Sequence, residues 1–258
     1  MDERGDESVR FRLFVLAAIL WCASSLLFAR TDPFSYPIRT VVIDAGHGGR
    51  DGGASFAWSF AGGTIYEKEY TLDIAKRTAS LLGVAHPNWN IVMTRSDDTY
   101  VALDDRCTIA YSTVIPRKTS ALFVSIHVNS AENQEAEGYE ILTKIPSIQQ
   151  TLLDAQTPKE NISLFAPFTE KELNELLNAR NAEVAKRFEQ TVGEHMPLSR
   201  SRGIKPQDVR VLNISRMPSV LVEVGFITNK NDVKALITSS WRQEMANAIV
   251  AAIEACEG

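Results

Sequence analysis

Apolar residues along this chain keep two alternating rhythms. Short continuous runs, among them "VVI" at 41–43, "ALFVSI" at 121–126 and "VLVEV" at 220–224, give way to stretches whose apolar positions return every three or four residues. The first rhythm suits strands buried on both faces, the second amphipathic helices. Strands are therefore predicted over 39–46, 89–95, 120–128, 138–144, 208–213 and 219–226. Helices are predicted over 67–83, 101–114, 170–192 and 239–256. Leu72, Ile74, Ala75, Ala79 and Leu82 form the apolar face of the first helix, which Gly83 stops, and Thr169 is placed to cap the third. Strand and helix alternating in this way predict a layered α/β fold. The stretch 145–168 breaks the rhythm: it lacks clean periodicity and contains Pro158 and Pro167, the profile of a lid, a binding loop or a disordered piece.

Composition narrows the picture. With 258 residues, 45% apolar and 23% charged, the chain has ample material for one core, expected from about 37 to 258. A net charge of −5 offers no basic field for nucleic acid. Residues 1–29 stand apart from this core. Arg10 and Arg12 precede an uncharged stretch over 13–29, whose length falls between a signal-peptide core and a membrane span. It is read either as an export signal that is removed or as an N-terminal anchor that stays in the membrane. Both place the remainder outside the cytoplasm, in the periplasm or cell envelope. Of the three cysteines, Cys107 and Cys256 sit in helical patterns among apolar neighbours, as buried thiols would. Their positions show no metal-ligand spacing, which excludes a cysteine-based zinc site.

Candidate chemistry gathers where apolar strands end. His47 follows the first, within "VVIDAGHGGRDGGA"; His127 follows "LFVSI", and Glu223 follows "VLV". In open α/β sheets the carboxyl ends of strands form the mouth for ligands, so three distant polar residues can converge there. Glu67 begins a helix, where a carboxylate is also favoured by the backbone dipole alone. Asp44 is placed to orient a ligand or to pair with an arginine such as Arg95, and Arg106 to pair with a carboxylate. Two histidines and one carboxylate with an open position form the ligand set of a catalytic zinc site. A further glutamate outside that set would then move the proton between water and leaving group. Gly46, Gly48 and Gly49 allow the sharp turn and close approach that such a site needs. Asn129 is placed to hydrogen-bond substrate or to cap a local turn, and Phe56, Trp58 and Phe60 to receive substrate or to pack on the domain.

Five blocks carry a family resemblance: "IDAGHGGRDGGA", "YEKEYTLDIA", "MTRSDD…ALDDR", "SIHVNS" and "MPSVLVEVGFITN". In that order they resemble the zinc-dependent N-acetylmuramoyl-L-alanine amidases of the AmiA/AmiB/AmiC type, from about 41 to the C-terminus. The resemblance implies a single-domain, twisted, mostly parallel sheet flanked by helices on both faces. It implies one Zn2+ per chain, held by His47, Glu67 and His127, with Glu223 as the catalytic acid/base. The substrate it implies is peptidoglycan, cut at the amide joining the lactyl group of muramic acid to L-alanine, in cell separation or wall remodelling. Where members often carry an acidic residue directly after "HGG", this chain has Arg50 and then Asp51, which is expected to orient His47. Some relatives cover the metal with a helix where 145–168 lies. Glu160, Glu170, Glu172 and Glu175 are therefore candidate occluding carboxylates of an autoinhibitory lid, with an activator protein acting on 145–180; the alternative is a surface excursion before an ordinary amphipathic helix. No accessory domain is expected, so contact with the wall would rest on a partner, on the domain's own affinity, or on membrane attachment through 13–29 if uncleaved.

Other chemistries fit less well. Asp51 occupies the last glycine position of a dinucleotide-binding turn, no Gly-Lys-Ser/Thr ending makes a phosphate loop, and no Ser-x-x-Lys is present. The rivals are another zinc peptidase or deacetylase of the same polymer, and a catalytically silent, zinc-containing peptidoglycan-binding protein. Glu223 discriminates against the silent binder, which has no need of a base beside a metal.

Overall fold

Val41 and Ile43 turn to one side of the first strand and Val42 to the other, and all three are fully buried. That alternation is the signature of a sheet with helices on both faces, and the computed structural model, which describes residues 30–257, has this architecture. In chain order the elements are β1 (Ile38–Ala45), β2 (Ser55–Trp58), β3 (Gly63–Tyr66), α1 (Glu67–Ala85), β4 (Asn90–Met93), α2 (Leu103–Ser112) and β5 (Ser120–Asn129). There follow β6 (Tyr139–Lys144), α3 (Lys159–Phe165), α4 (Glu170–His195), β7 (Ser201–Gln207), α5 (Arg210–Ile214), β8 (Ser219–Phe226), α6 (Lys230–Leu236) and α7 (Ser239–Ala255). The expected export segment at 1–29 lies outside the described residues. Among the described residues no helix is long and apolar enough to cross a membrane.

Six strands form one sheet in the order β4-β1-β5-β8-β6-β7, and β2 and β3 form a separate antiparallel hairpin. All neighbours in the large sheet are parallel except β6 and β8. One face buries Val41, Ile43 and Val222 against α1, α4 and α7 through Ile74, Phe188 and Ile249. The opposite face buries Val42, Phe123 and Leu221 against α2 and α5 through Cys107 and Leu212. Cys107 and Cys256 are both buried free thiols.

Two expectations need correction. The stretch 208–213 is not a strand: Arg210–Ile214 forms the short helix α5, with Val211 and Leu212 buried. Four to six apolar residues cannot distinguish strand from helix by period. The strand of this region is Ser201–Gln207, whose Gly203 and Pro206 disguise it. As the sheet's outer strand it tolerates a proline, which has no N–H to offer a neighbour.

The segment 145–168 is also no cover over the strand ends. Leu152 and Phe165 pack with Phe34, Leu173 and Leu177 in a small core of their own. Asn161 accepts from Ile115 N–H at 2.8 Å and donates to Thr113 O at 2.9 Å, which anchors α3 beyond the far end of α2. Glu170 accepts from the backbone of Leu152 and Leu153, and Glu172 completes a capping box with Thr169 at the start of α4.

Candidate metal centre

Because β1, β5 and β8 run parallel and adjacent, their carboxyl ends emerge side by side. Ala45 stands opposite Ile126, and His127 opposite Glu223. Residues beyond the last apolar position of each strand therefore meet at one rim. His47 turns there with φ of 60°, a left-handed backbone that a histidine adopts at a cost.

Neighbouring groups hold that turn in place. Arg106, on α2, donates to Ala45 O at 2.6 Å and His47 O at 2.5 Å, and Arg95 donates to Ala45 O at 2.9 Å and Gly46 O at 2.7 Å. Asp44, fully buried, pairs with Arg106 at 2.7 Å and accepts from Thr94 and Ser125 hydroxyls, both at 2.7 Å. Burial pushes the Asp44 carboxyl up, but the Arg106 charge and these hydrogen bonds outweigh it and hold the group below the usual carboxylate range. Arg95 thus binds carbonyls, and Arg106 is the partner of Asp44.

Glu67 is the hub of the site. It is the first residue of α1, but its carboxylate folds back to accept from Ala54 N–H at 2.8 Å and Val128 N–H at 2.9 Å. His47 Nε2 lies 3.1 Å from Glu67 Oε2, and His127 Nδ1 lies 2.9 Å from Glu67 Oε1. Glycine is required around this hub. A Cβ at Gly53, where φ is 68°, would lie 2.6 Å from both Glu67 Oε2 and the His47 ring, and one at Gly46 would lie 2.4 Å from the His127 ring. On its other side, His47 Nδ1 faces Asp51 Oδ2 at 2.9 Å.

His47, Glu67 and His127 each offer one ligand atom, and these atoms lie within 4.8 Å of one another. Two nitrogens and a carboxylate oxygen so gathered suit a divalent ion with an open position. Glu223 lines the same cavity, of about 670 Å³, and its Oε2 is buried with no hydrogen-bond partner among the described residues. A buried polar atom left without a partner is costly, and a bound water or ion beside it would remove that cost. Burial pushes the Glu223 carboxyl up to about 7, and the Glu67 and Glu140 charges add to this against the pull of His127. The imidazoles shift as well. Burial alone would lower both, but Glu67 raises His47 and lifts His127 to about 8.

The remaining sequence candidates are placed as follows. Asn129 lines the cavity, donates to Glu140 Oε2 at 3.2 Å and accepts from Ser130 N–H at 2.8 Å. Trp58 packs on the core and donates to Ile227 O at 3.0 Å, and the Phe56 and Phe60 rings lie against it at tilted angles. Glu160 and Glu175 are exposed, and no residue of 145–180 lines the cavity. The occluding carboxylates expected from that region are therefore absent from the site among the described residues. Some supporting residues carried no pattern in the sequence. Glu140, buried beside β8, bonds Arg202 and Lys205 and sits opposite Glu223 in the antiparallel pairing.

The model of the N-acetylmuramoyl-L-alanine amidase family Amidase_3 matches residues 41–255. The chain belongs to this family. It is similar to the uncharacterized protein YqiI of Bacillus subtilis, 32% identical over 235 residues that cover 90% of this chain and 93% of that one. It is also 32% identical to the N-acetylmuramoyl-L-alanine amidase LytC of the same organism, covering 82% of this chain but only 34% of LytC. Among solved structures, an N-acetylmuramoyl-L-alanine amidase of Clostridium difficile superimposes with a TM-score of 0.63 at 27% identity, over 84% of this chain and 96% of that one. The chain thus spans nearly the whole of some relatives and about a third of another. The mostly parallel sheet flanked by helices superimposes on the catalytic domain of the amidase CwlV with a TM-score of 0.58 at 28% identity, over 84% of this chain.

Proposed function

We propose that this chain hydrolyses the amide between the lactyl group of N-acetylmuramic acid and L-alanine in peptidoglycan, using one Zn2+ held by His47, Glu67 and His127. The observation that carries this reading is the gathering of the three ligand atoms within 4.8 Å beside the unpartnered Glu223 Oε2 in one cavity. Zinc, when bound, supplies Lewis acidity, which polarises an amide carbonyl and makes a water a better nucleophile near neutral pH.

The side chains have distinct tasks. Asp51 accepts from His47 Nδ1, which fixes the ring's tautomer and leaves Nε2 free to ligate. The Ala54 and Val128 amides hold the Glu67 carboxylate in place. Glu223, buried beside the proposed ligands with its Oε2 unpartnered, takes a proton from water as the carbonyl is attacked and returns it to the departing alanine nitrogen. Export to the cell envelope and a part in cell separation or wall remodelling follow from the substrate. A protein activator directed at 145–180 would act away from the cavity wall.

Mass spectrometry of muropeptide digests tests the reading. Metal-loaded protein should release stem peptide beginning at L-alanine, and a chelator should abolish this. Intact substrate after incubation with zinc-loaded protein, or scission at any other bond, would overturn it.

A further inference from the structure

The cavity that holds Glu223, at about 670 Å³, is larger than an amide requires, and part of its lining has a different chemistry. There α5 and the residues before it contribute Asp208, Val209, Arg210 and Val211, and α2 and its approach contribute Val101 and Leu103. Among the residues lining the cavity, the cationic side chains are the imidazoles, Arg106 and Arg210. Arg106 is buried and committed to Asp44 and to backbone carbonyls. Arg210 is not: its side chain is half exposed, and its partner Asp104 on α2 is more exposed still. Nε and Nη2 of Arg210 both lie 2.6 Å from the same oxygen, Asp104 Oδ1. An exposed pair of this kind contributes little to stability, so an incoming carboxylate can replace Asp104 at small cost. A guanidinium also matches a carboxylate in two-point geometry, which a water-filled rim does not.

We propose that Arg210 is a specificity-determining residue that binds a free carboxylate on the stem peptide, one residue beyond L-alanine. This deepens the amidase reading and rests on it. The glycan side of the scissile amide is neutral, carrying hydroxyls and acetamides. The first anion beyond the bond is the α-carboxylate of the second, γ-linked glutamyl residue. Arg210, the exposed arginine among the residues lining the cavity, therefore orients the substrate, with the peptide running toward α2 and α5 and the sugar away from them. Val101, Leu103 and Val209 then flank the alanine methyl and the glutamyl methylenes. Asp104 competes with the substrate for the guanidinium and sets the strength of the preference.

Two disaccharide-tripeptides, identical except that the second residue carries a free α-carboxyl or a carboxamide, provide the test. With zinc-loaded full-length protein, kcat/KM should favour the free acid by about tenfold, the size of one charge-assisted hydrogen bond. In R210Q the ratio should fall toward one, mostly through KM, and R210K should restore part of it. D104N should lower KM for the free acid. The same pair titrated by calorimetry into the zinc-loaded E223Q protein reads binding apart from cleavage. A wild-type enzyme that cleaves both substrates alike, or an R210Q effect confined to kcat, would overturn the proposal and leave the amidase reading standing. If no cleavage occurs but E223Q still prefers the free acid in an Arg210-dependent way, the subsite stands and the amidase reading fails. Absence of both cleavage and preference would remove the two together.

Discussion

Glu223 illustrates how position on a strand becomes chemistry. It stands in "VLVEV", surrounded by residues that exist to be buried, and its Oε2 has no partner among the described residues. A carboxyl so placed is hard to ionise, which is why its pKa rises to about 7. A side chain whose charge is so finely balanced suits the proton-carrying role proposed for it. E223Q keeps the shape and removes the proton traffic. It should retain zinc, measured by metal analysis, while amide cleavage falls by roughly 100-fold or more; near-wild-type turnover in a zinc-loaded variant would contradict the role. Asp44 shows the opposite logic, because its ionised form is held by Arg106 and two hydroxyls and serves the turn rather than the reaction.

Among the elements, the segment over 145–168 differs most from its sequence-level expectation. Its irregular pattern was legible, but its destination was not, because α3 and its flanks bury isolated residues such as Leu152 and Phe165 rather than a periodic face. The three long parallel strands and the helices α1, α4 and α7 were readable because each repeats its pattern over many residues. The short strands β4 and β6 were legible too, whereas the hairpin of β2 and β3, the glycine- and proline-bearing edge strand β7 and the short helices α5 and α6 were not. For the site, His47, His127 and Glu223 could be read from the ends of apolar runs. The backbone amides that hold Glu67 and the Arg106 clamp on the His47 turn carry no such mark in the sequence. Because the segment packs on its own core, L152A should destabilise the fold by about 2–5 kcal/mol and leave basal hydrolysis no higher than wild type. Thermal melting and a sacculus-release assay check this, and a marked rise in activity would restore the lid.

For the whole molecule, the proposed metal site would link protons and folding. The proposed ligands come from the turn after β1, the start of α1 and the end of β5, so an ion that binds all three binds the folded chain alone and raises its stability by mass action. Chelation should therefore lower the melting temperature. Without metal, His47 and His127 have pKa values above their ordinary one, with His127 at about 8. Their contribution to stability is complete below the unfolded value of about 6.5 and disappears as pH rises through the folded value. Ligation needs neutral rings, so zinc uptake should release more protons from the imidazoles at pH 7 than at pH 9. Calorimetry in buffers of different ionisation heat measures the count; equal release at both pH values would refute the linkage.

The strand order carries a further consequence for biosynthesis. β8 lies between β5 and β6 yet leaves the ribosome after both, so the middle of the sheet is the last part of it to be made. A nascent chain stopped before Ser219 has β6 and β7 with no central strand to join, and it has no Glu223. On the proposed role of Glu223, wall-cutting capacity is withheld from any polypeptide that stops short of β8, with no inhibitor required at that stage of synthesis.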